Sequence, residues 1–170
     1  MVLILTSEHL EQIRSHAERT YPRECCGLLM GRLAGDDRKI LAEVRPVENA
    51  WGETAAESFQ EIETAKNPLT TQELRFTIAP EVLMQAQREG RDRNRSIIGI
   101  YHSHPDHPAA PSEFDRRCAW AEYSYIIVSV EGGKAADLKN WSLDADCQFQ
   151  LEEMISCEAI GDAGDYHIYL

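Results

Sequence analysis

Residues 96–115 read SIIGIYHSHPDHPAAPSEFD, and the fold turns on how they are read. Ser96 to Tyr101 is a short apolar run of strand length that leads straight into His102 and His104. In an extended chain residues i and i+2 share a face, so both imidazoles point the same way at a strand end. Pro105, Pro108 and Pro111 restrict the loop that follows. Ser112 then opens a helix expected to run through Trp120, with Asp115 in its first turn. Strand, stiff loop and helix in that order would bring Asp115 back over the strand end. His102, His104 and Asp115 would then supply three N and O donors, the number used by catalytic zinc sites that keep a position open for water. Imidazole donors favour zinc over magnesium or calcium. No cysteine stands at zinc-finger spacing to close the site as a structural one.

The same letters have plainer readings. Ser112 with an acid three residues on is a helix-capping pattern, which would itself hold Asp115 rigid. His107 falls in the loop and reads as solvated, while His9, His16 and His167 show no partner pattern. Water activated by a metal still needs a base, and Glu24 is the candidate. It leads directly into an apolar run, Cys25 to Gly31, where a carboxylate is costly unless it faces a polar pocket. Glu24 would take the proton and return it to a leaving amine, and Ser112 could donate to an oxyanion.

Outward from that stretch the chain alternates strands and helices. Val2–Leu5 reads as a strand. Thr6 or Ser7 caps a helix carrying Leu10, Ile13 and Ala17, ending before Tyr21-Pro22. Glu24–Gly31 suits a strand buried on both faces, turning at residues 34–37 into a hairpin partner, Lys39–Val47. Glu48–Glu73 is a long polar connection, expected to be mobile or to order on binding. Phe76 and Ile78 alternate as a brief strand, and Pro80 opens a helix bearing Val82, Leu83 and Ala86 that Gly90 stops. Tyr123–Val130, a Gly132-Gly133 turn and Ala136–Leu143 form a second hairpin, and Phe149 with Leu151 one more strand. The last twenty residues read as irregular and loosely packed. This order argues a mixed α/β (α+β) class with a central sheet flanked by helices.

Composition narrows the function classes. At 170 residues, 43% hydrophobic and 27% charged, the chain can close one core unaided. With 29 acidic residues against 17 basic ones, the net charge of −12 repels phosphate backbones, so nucleic acid is not the expected partner. The arginines between Arg88 and Arg95 are interleaved with Glu89 and Asp92, a solvated helix end. Five cysteines without a CxxC pair fit reduced thiols of the cytoplasm. Cys25, Cys26 and Cys118 read as core residues, and Gly27 and Gly31 as places where strands approach closely. The five apolar residues MVLIL are too short for a signal h-region, and no stretch reaches membrane-spanning length.

His102-Ser103-His104-Pro105 followed by Ser112 and Asp115, with Glu24 upstream, resembles the JAMM motif of MPN+ metalloproteases. YPRECCGLLMGR, RFTIAPE, GIYHSHP, APSEFD and YSYIIVSV carry the resemblance across residues 1–145. It implies zinc on His102, His104 and Asp115, Glu24 as general acid/base and Ser112 at the oxyanion. It implies the MPN/JAMM fold, similar in layout to cytidine deaminases, over residues 1–145, with 146–170 as an extension on or beside that domain. The short ECCGLL form looks like the bacterial branch tied to ubiquitin-like sulfur carriers of the ThiS and MoaD type. The implied reaction is cleavage after the carrier's C-terminal Gly-Gly, releasing cysteine or a short peptide. The carrier tail is expected to add as a strand at an exposed sheet edge. A homodimer is one assembly such domains adopt. Two other readings stand beside this one: a RadC-like metal protein linked to DNA, against which the acidity counts, and a non-catalytic interaction module. Base deamination is disfavoured, since it uses H-x-E and a later P-C-x-x-C.

Overall fold

A computed structural model of the chain describes residues 1–35, 37–52, 55, 72–73 and 75–158. Most of the polar connection 48–73, and the end of the chain with His167, lie outside them. Among the described residues eleven elements follow in order: β1 (Val2–Thr6), α1 (Ser7–Thr20), β2 (Cys26–Ala34), β3 (Arg38–Val47), α2 (Pro80–Asp92), β4 (Ser96–Pro105), α3 (Glu113–Cys118), β5 (Ser124–Glu131), β6 (Lys134–Leu143), β7 (Phe149–Leu151) and β8 (Glu153–Cys157). The strands form one mixed eight-stranded sheet in the order β7-β6-β5-β4-β2-β3-β1-β8.

That order has a geometric consequence. β7 and β8 stand at opposite ends of the sheet, yet Glu152 alone separates them. Residues two apart span at most about 7 Å, so the sheet must curl until its two edges meet. The curl encloses α1, which packs against β1, β3, β4, β5 and β6. Ile13 and Ala17 of α1 sit, fully buried, among Leu3, Leu5, Leu29, Leu41, Ile98 and Ile126. The helix starts cleanly because the Thr6 side chain accepts from the His9 backbone while the His9 ring accepts from the Thr6 N–H.

A buried polar cluster marks the closure. Lys39 Nζ reaches Ser124 Oγ at 2.9 Å and Glu152 Oε1 at 3.2 Å, with both charged side chains inaccessible. Asn140 Nδ2 donates to Glu152 Oε2 at 2.9 Å, and the Glu152 N–H donates to the Asn140 carbonyl. Two strands' worth of sheet separate Lys39 from Ser124, so only the curl brings them together.

The second face of the sheet is where α2 and the functional elements lie. Leu28 and Met30 alternate with Leu29, pointing to a separate core with Ile78, Ala86 and Ile97. β2 pairs antiparallel with β4, Cys26 opposite His102, and β4 pairs parallel with β5. His102 therefore stands mid-sheet, near the carboxyl end of a central strand.

Several details depart from the expectations above. Residues 75–79 form no strand, because their backbone is held by Asn49 instead: Thr77 N–H and the Arg75 carbonyl both bond the Asn49 side chain. Gly90 lies inside α2 and does not stop it. It is glycine because Arg95 returns over it; an added Cβ would meet the Arg95 carbonyl oxygen at 2.6 Å. α3 ends at Cys118 rather than Trp120, and Cys118 is exposed. Gly27 makes room for the Tyr101 ring rather than for a strand. Within the last twenty residues, Glu153–Cys157 is the strand β8, paired parallel to β1, with the Cys157 thiol donating to the Leu5 carbonyl.

Candidate metal centre

β4 carries His102 opposite Cys26, the first residue of β2, and His104 beyond it, on the face opposite α1. Their neighbour Ser103 points the other way, into the strand start: its Oγ accepts from the Cys25 N–H at 2.8 Å, and its own N–H donates to the Cys25 carbonyl. This reciprocal pairing fixes Glu24, one residue upstream, beside the histidines. The Glu24 N–H donates to the Gln72 carbonyl, and its carbonyl accepts from Asn49.

The loop after β4 is tied down almost residue by residue. Asp106 N–H donates to Val130, and Asp106 carboxylate oxygens accept from Gly132 N–H and Tyr21 Oη. The His107 carbonyl accepts from Ser129 Oγ, the Pro108 carbonyl from His104 Nδ1 at 2.9 Å, and the Ala109 carbonyl from Trp141 Nε1. A stretch rich in histidine and proline thus has one shape. His107 itself is exposed, its Nδ1 spent on the Pro105 carbonyl.

At the loop's end Ser112 caps α3. Its Oγ accepts from the Asp115 N–H at 3.1 Å, and Asp115 Oδ2 accepts from both the Ser112 N–H and hydroxyl at 2.6 Å. The reciprocal cap locks the Asp115 carboxylate over β4. The cap was legible from the sequence, and it is the device that aims the carboxylate.

Three donor atoms converge. Nε2 of His102 and Nε2 of His104 are 3.0 Å apart, with Asp115 Oδ1 at 3.5 Å from the first and Oδ2 at 3.7 Å from the second. Tetrahedral zinc with bonds of about 2.0–2.1 Å places its ligand atoms about 3.3 Å from one another. The three separations, those to Asp115 taken to different carboxylate oxygens, bracket that edge. The Pro108 carbonyl can only accept, so His104 Nδ1 carries the proton and Nε2 offers a lone pair. His102 Nδ1 is buried without a hydrogen-bond partner, and the ring stacks on Phe76 at 4.5 Å between centroids. Among the described residues this is the one group of three whose ligand atoms gather in this way. The donor set suits a borderline-soft divalent ion.

The electrostatics agree. Burial lowers the His102 pKa to about 4, with the neighbouring His104 in the same direction and Asp115 opposing. The ring is therefore neutral, as a ligand must be. Burial acts to raise the Asp115 carboxyl, but His102, His104 and the two Ser112 donors outweigh it and hold it well below the usual carboxylate range. Glu24 goes the other way: burial first, then the Asp115 charge, raise it well above an ordinary glutamate, while Arg75 opposes. Two carboxyls in one site are pushed apart, one fixed as an anion and one prepared to carry a proton.

Glu24, His104, Ser112 and Asp115 line one cavity of about 250 Å³, which Phe76, Arg75 and Phe114 complete. His102 lies outside that lining but joins the group through Nε2, 3.0 Å from His104 and 3.5 Å from Asp115, so the five residues expected from the sequence are gathered around this centre. Phe76, whose ring covers His102, was read only as a strand residue. His16 donates or accepts through Nδ1 with Tyr101 Oη at 2.8 Å, a partnership the sequence gave no sign of. Cys25 and Cys26 are buried, the Cys25 thiol pushed up to about 12 by burial, and neither belongs to the group of converging ligand atoms.

Residues 6–144 match the family described as prokaryotic homologs of the JAB domain, and the chain belongs to it. Within that class it is 30% identical, over 139 residues, to a protein of Haloferax volcanii named desampylase, covering 79% of this chain and 85% of that one. It is 29% identical over 135 residues to a Thermus thermophilus protein named probable TtuB-protein conjugate cleaving protease, covering 79% and 75%. A solution structure of a Desulfitobacterium hafniense protein superposes with a TM-score of 0.72 at 30% identity, covering 97% of this chain and 99% of that one. No helix among the described residues is long and apolar enough to cross a membrane.

Proposed function

We propose that this chain is a zinc-dependent hydrolase that cuts the peptide or isopeptide bond after the C-terminal Gly-Gly of a ubiquitin-like sulfur-carrier protein. The observation that carries the reading is the convergence of the His102, His104 and Asp115 ligand atoms, with a buried, proton-prepared Glu24 lining the same cavity as His104 and Asp115. The substrate class draws on the names of the two relatives, one a desampylase and one a protease of TtuB-protein conjugates. On this reading residues 1–145 are the metalloprotease domain and 146–170 its extension, whose strands β7 and β8 join the same sheet.

His102 Nε2, His104 Nε2 and Asp115 would hold the ion. A zinc ion there supplies Lewis acidity and brings the pKa of water near 7. Glu24 accepts a proton from the attacking water and passes it to the leaving amine as the C–N bond breaks; its raised pKa suits both roles. The water oxygen ends on the glycine carboxylate and the proton on the amine. The Ser112 hydroxyl, which donates to Asp115 Oδ2 in this structure, turns toward the carbonyl oxygen as negative charge develops. Phe76 and Phe114 cover the site and limit water.

The test is intact-mass analysis of a carrier extended beyond Gly-Gly by one cysteine or a short peptide. Loss of only the extension, stopped by a chelator and absent with Glu24→Gln, is expected. No cleavage by folded, zinc-loaded protein would overturn the reading.

A further inference from the structure

On the function proposed above the Glu24 carboxyl must meet water and a leaving amine, yet its residue precedes the paired part of β2. β2 and β3 pair from Ala34 opposite Arg38 to Cys26 opposite Val47, and the ladder stops there. Carried two residues further, the antiparallel register sets Glu24 against Asn49. At that point the Asn49 side chain takes over from the backbone: Nδ2 donates to the Glu24 carbonyl at 3.1 Å. Two further bonds close a ring. The Glu24 N–H donates to the Gln72 carbonyl at 2.7 Å, and Gln72 Nε2 donates to the Asn49 carbonyl at 3.0 Å. Both backbone groups of Glu24 are thus held within this ring.

The same amide reaches the wall that covers His102. Nδ2 also donates to the Arg75 carbonyl at 2.9 Å, and Oδ1 accepts from the Thr77 N–H at 3.3 Å. Those residues flank Phe76, whose ring stacks on His102 at 4.5 Å between centroids. An amide side chain carries the same donor and acceptor groups as a peptide unit, so Asn49 serves residues 75–77 as a neighbouring strand would. Oδ1 also accepts from the Trp51 N–H at 2.9 Å. The buried Trp51 ring meets that of Phe114, which stands between Ser112 and Asp115, edge to face at 5.6 Å. Both donors and both acceptor positions of the amide are therefore engaged. Aspartate could not donate, serine has one proton, and glutamine is one methylene longer. Turning the amide over would set its oxygen against two carbonyls, so one orientation alone satisfies it.

Resting on the function proposed above, we propose that Asn49 is a positioning residue for Glu24: one amide ties the general acid/base to the wall covering His102 and so fixes the distance between the carboxyl and the metal ligands. Glu24 is buried and lines the cavity that His104 and Asp115 also line. Proton transfer there needs heavy atoms about 2.6–3.2 Å apart, and a displacement of about 1 Å costs about 100-fold in rate. Asn49 does not line that cavity, so its effect passes through Glu24.

The test is a double-mutant cycle on zinc-loaded protein, with cleavage of the extended Gly-Gly carrier read by intact mass. Asn49→Ala should lower kcat by about 100-fold, with KM nearly unchanged and zinc retained as in the wild type. In a Glu24→Gln background the same change should lower the residual rate by no more than about twofold, because the group it positions is already gone. Equal losses in the two backgrounds overturn the proposal and make Asn49 a structural residue that acts independently of Glu24. Zinc lost together with activity also overturns it, since the effect would then lie at His102. Asn49→Asp keeps the size and the acceptor but loses both Nδ2 bonds, so it should match Asn49→Ala in kcat, and it carries the same cycle if the alanine variant does not fold. Wild-type kcat in either variant overturns the role. If the wild type cleaves no carrier, the hydrolase reading itself fails and the role of Asn49 falls with it.

Discussion

Nδ1 of His104 donates to the carbonyl of Pro108 at 2.9 Å. This single bond connects the proline loop to the metal chemistry, because it decides which nitrogen of the ring is left for an ion. The loop holds the carbonyl in place through its own bonds to β5 and β6.

Loosening that carbonyl should therefore weaken metal binding without unfolding the protein. Pro108→Gly keeps the carbonyl but frees the backbone that aims it. Zinc affinity, measured by competition with a chromophoric chelator, should drop by about 10-fold, within the range found when outer partners of ligating histidines are lost. Unchanged affinity would remove the loop from the account.

Acid should destabilise the metal-free protein in a defined window. His102 has a pKa of about 4 when folded against 6.5 for a free ring. The unfolded state thus binds the proton first, so stability is full above about 6.5 and falls as the pH drops toward 4. Asp115, held low in the fold, acts with the same sign at still lower pH. Urea midpoints of chelator-treated Glu24→Gln protein, which lacks the opposing linkage of Glu24, should decline between pH 7 and 4, and a flat profile would contradict the burial of a neutral His102.

Glu24 has the opposite linkage. Its folded pKa is raised above the unfolded value, so its burial costs stability as the pH rises past 4.5. Glu24→Gln removes that cost: at pH 8 the variant should melt no lower than wild type. Cleavage should nonetheless fall by about 10²–10⁴, the usual contribution of a positioned acid/base. Loss of folding and activity together would assign Glu24 to structure.

The closure at Glu152 predicts a lesion far from the metal. Glu152→Ala leaves Lys39 buried without its carboxylate and should cost about 3–5 kcal/mol in urea unfolding. Zinc stoichiometry in the folded fraction should stay as in the wild type. Replacing both residues together by Met and Leu should recover most of the loss, because an apolar pair leaves no charge stranded.

What the sequence made legible follows the range of the forces involved. The i, i+2 spacing of His102 and His104, the Ser112–Asp115 cap and the carboxylate before an apolar strand are local patterns, and each kept its meaning in the fold. Gly90 misled because its role depends on Arg95 returning across the helix, which no helix propensity encodes. Phe76 was read by alternation, yet its ring is recruited by His102 and its backbone by Asn49. Lys39 and Glu152 are 113 residues apart in sequence, and their pairing exists only because one residue bridges the two ends of the sheet. Cys118 reads as a core residue by type, yet it closes a short helix at the surface and is exposed.

The most direct measurement is zinc content after chelator treatment, reloading and equilibrium dialysis, for wild type, His104→Ala, Asp115→Ala and Glu24→Gln. Wild type and Glu24→Gln should retain one zinc per chain, and the two ligand variants should retain almost none while remaining folded. Zinc kept at full stoichiometry in His104→Ala and Asp115→Ala, or absent from the wild type, would contradict a metal centre built on these residues.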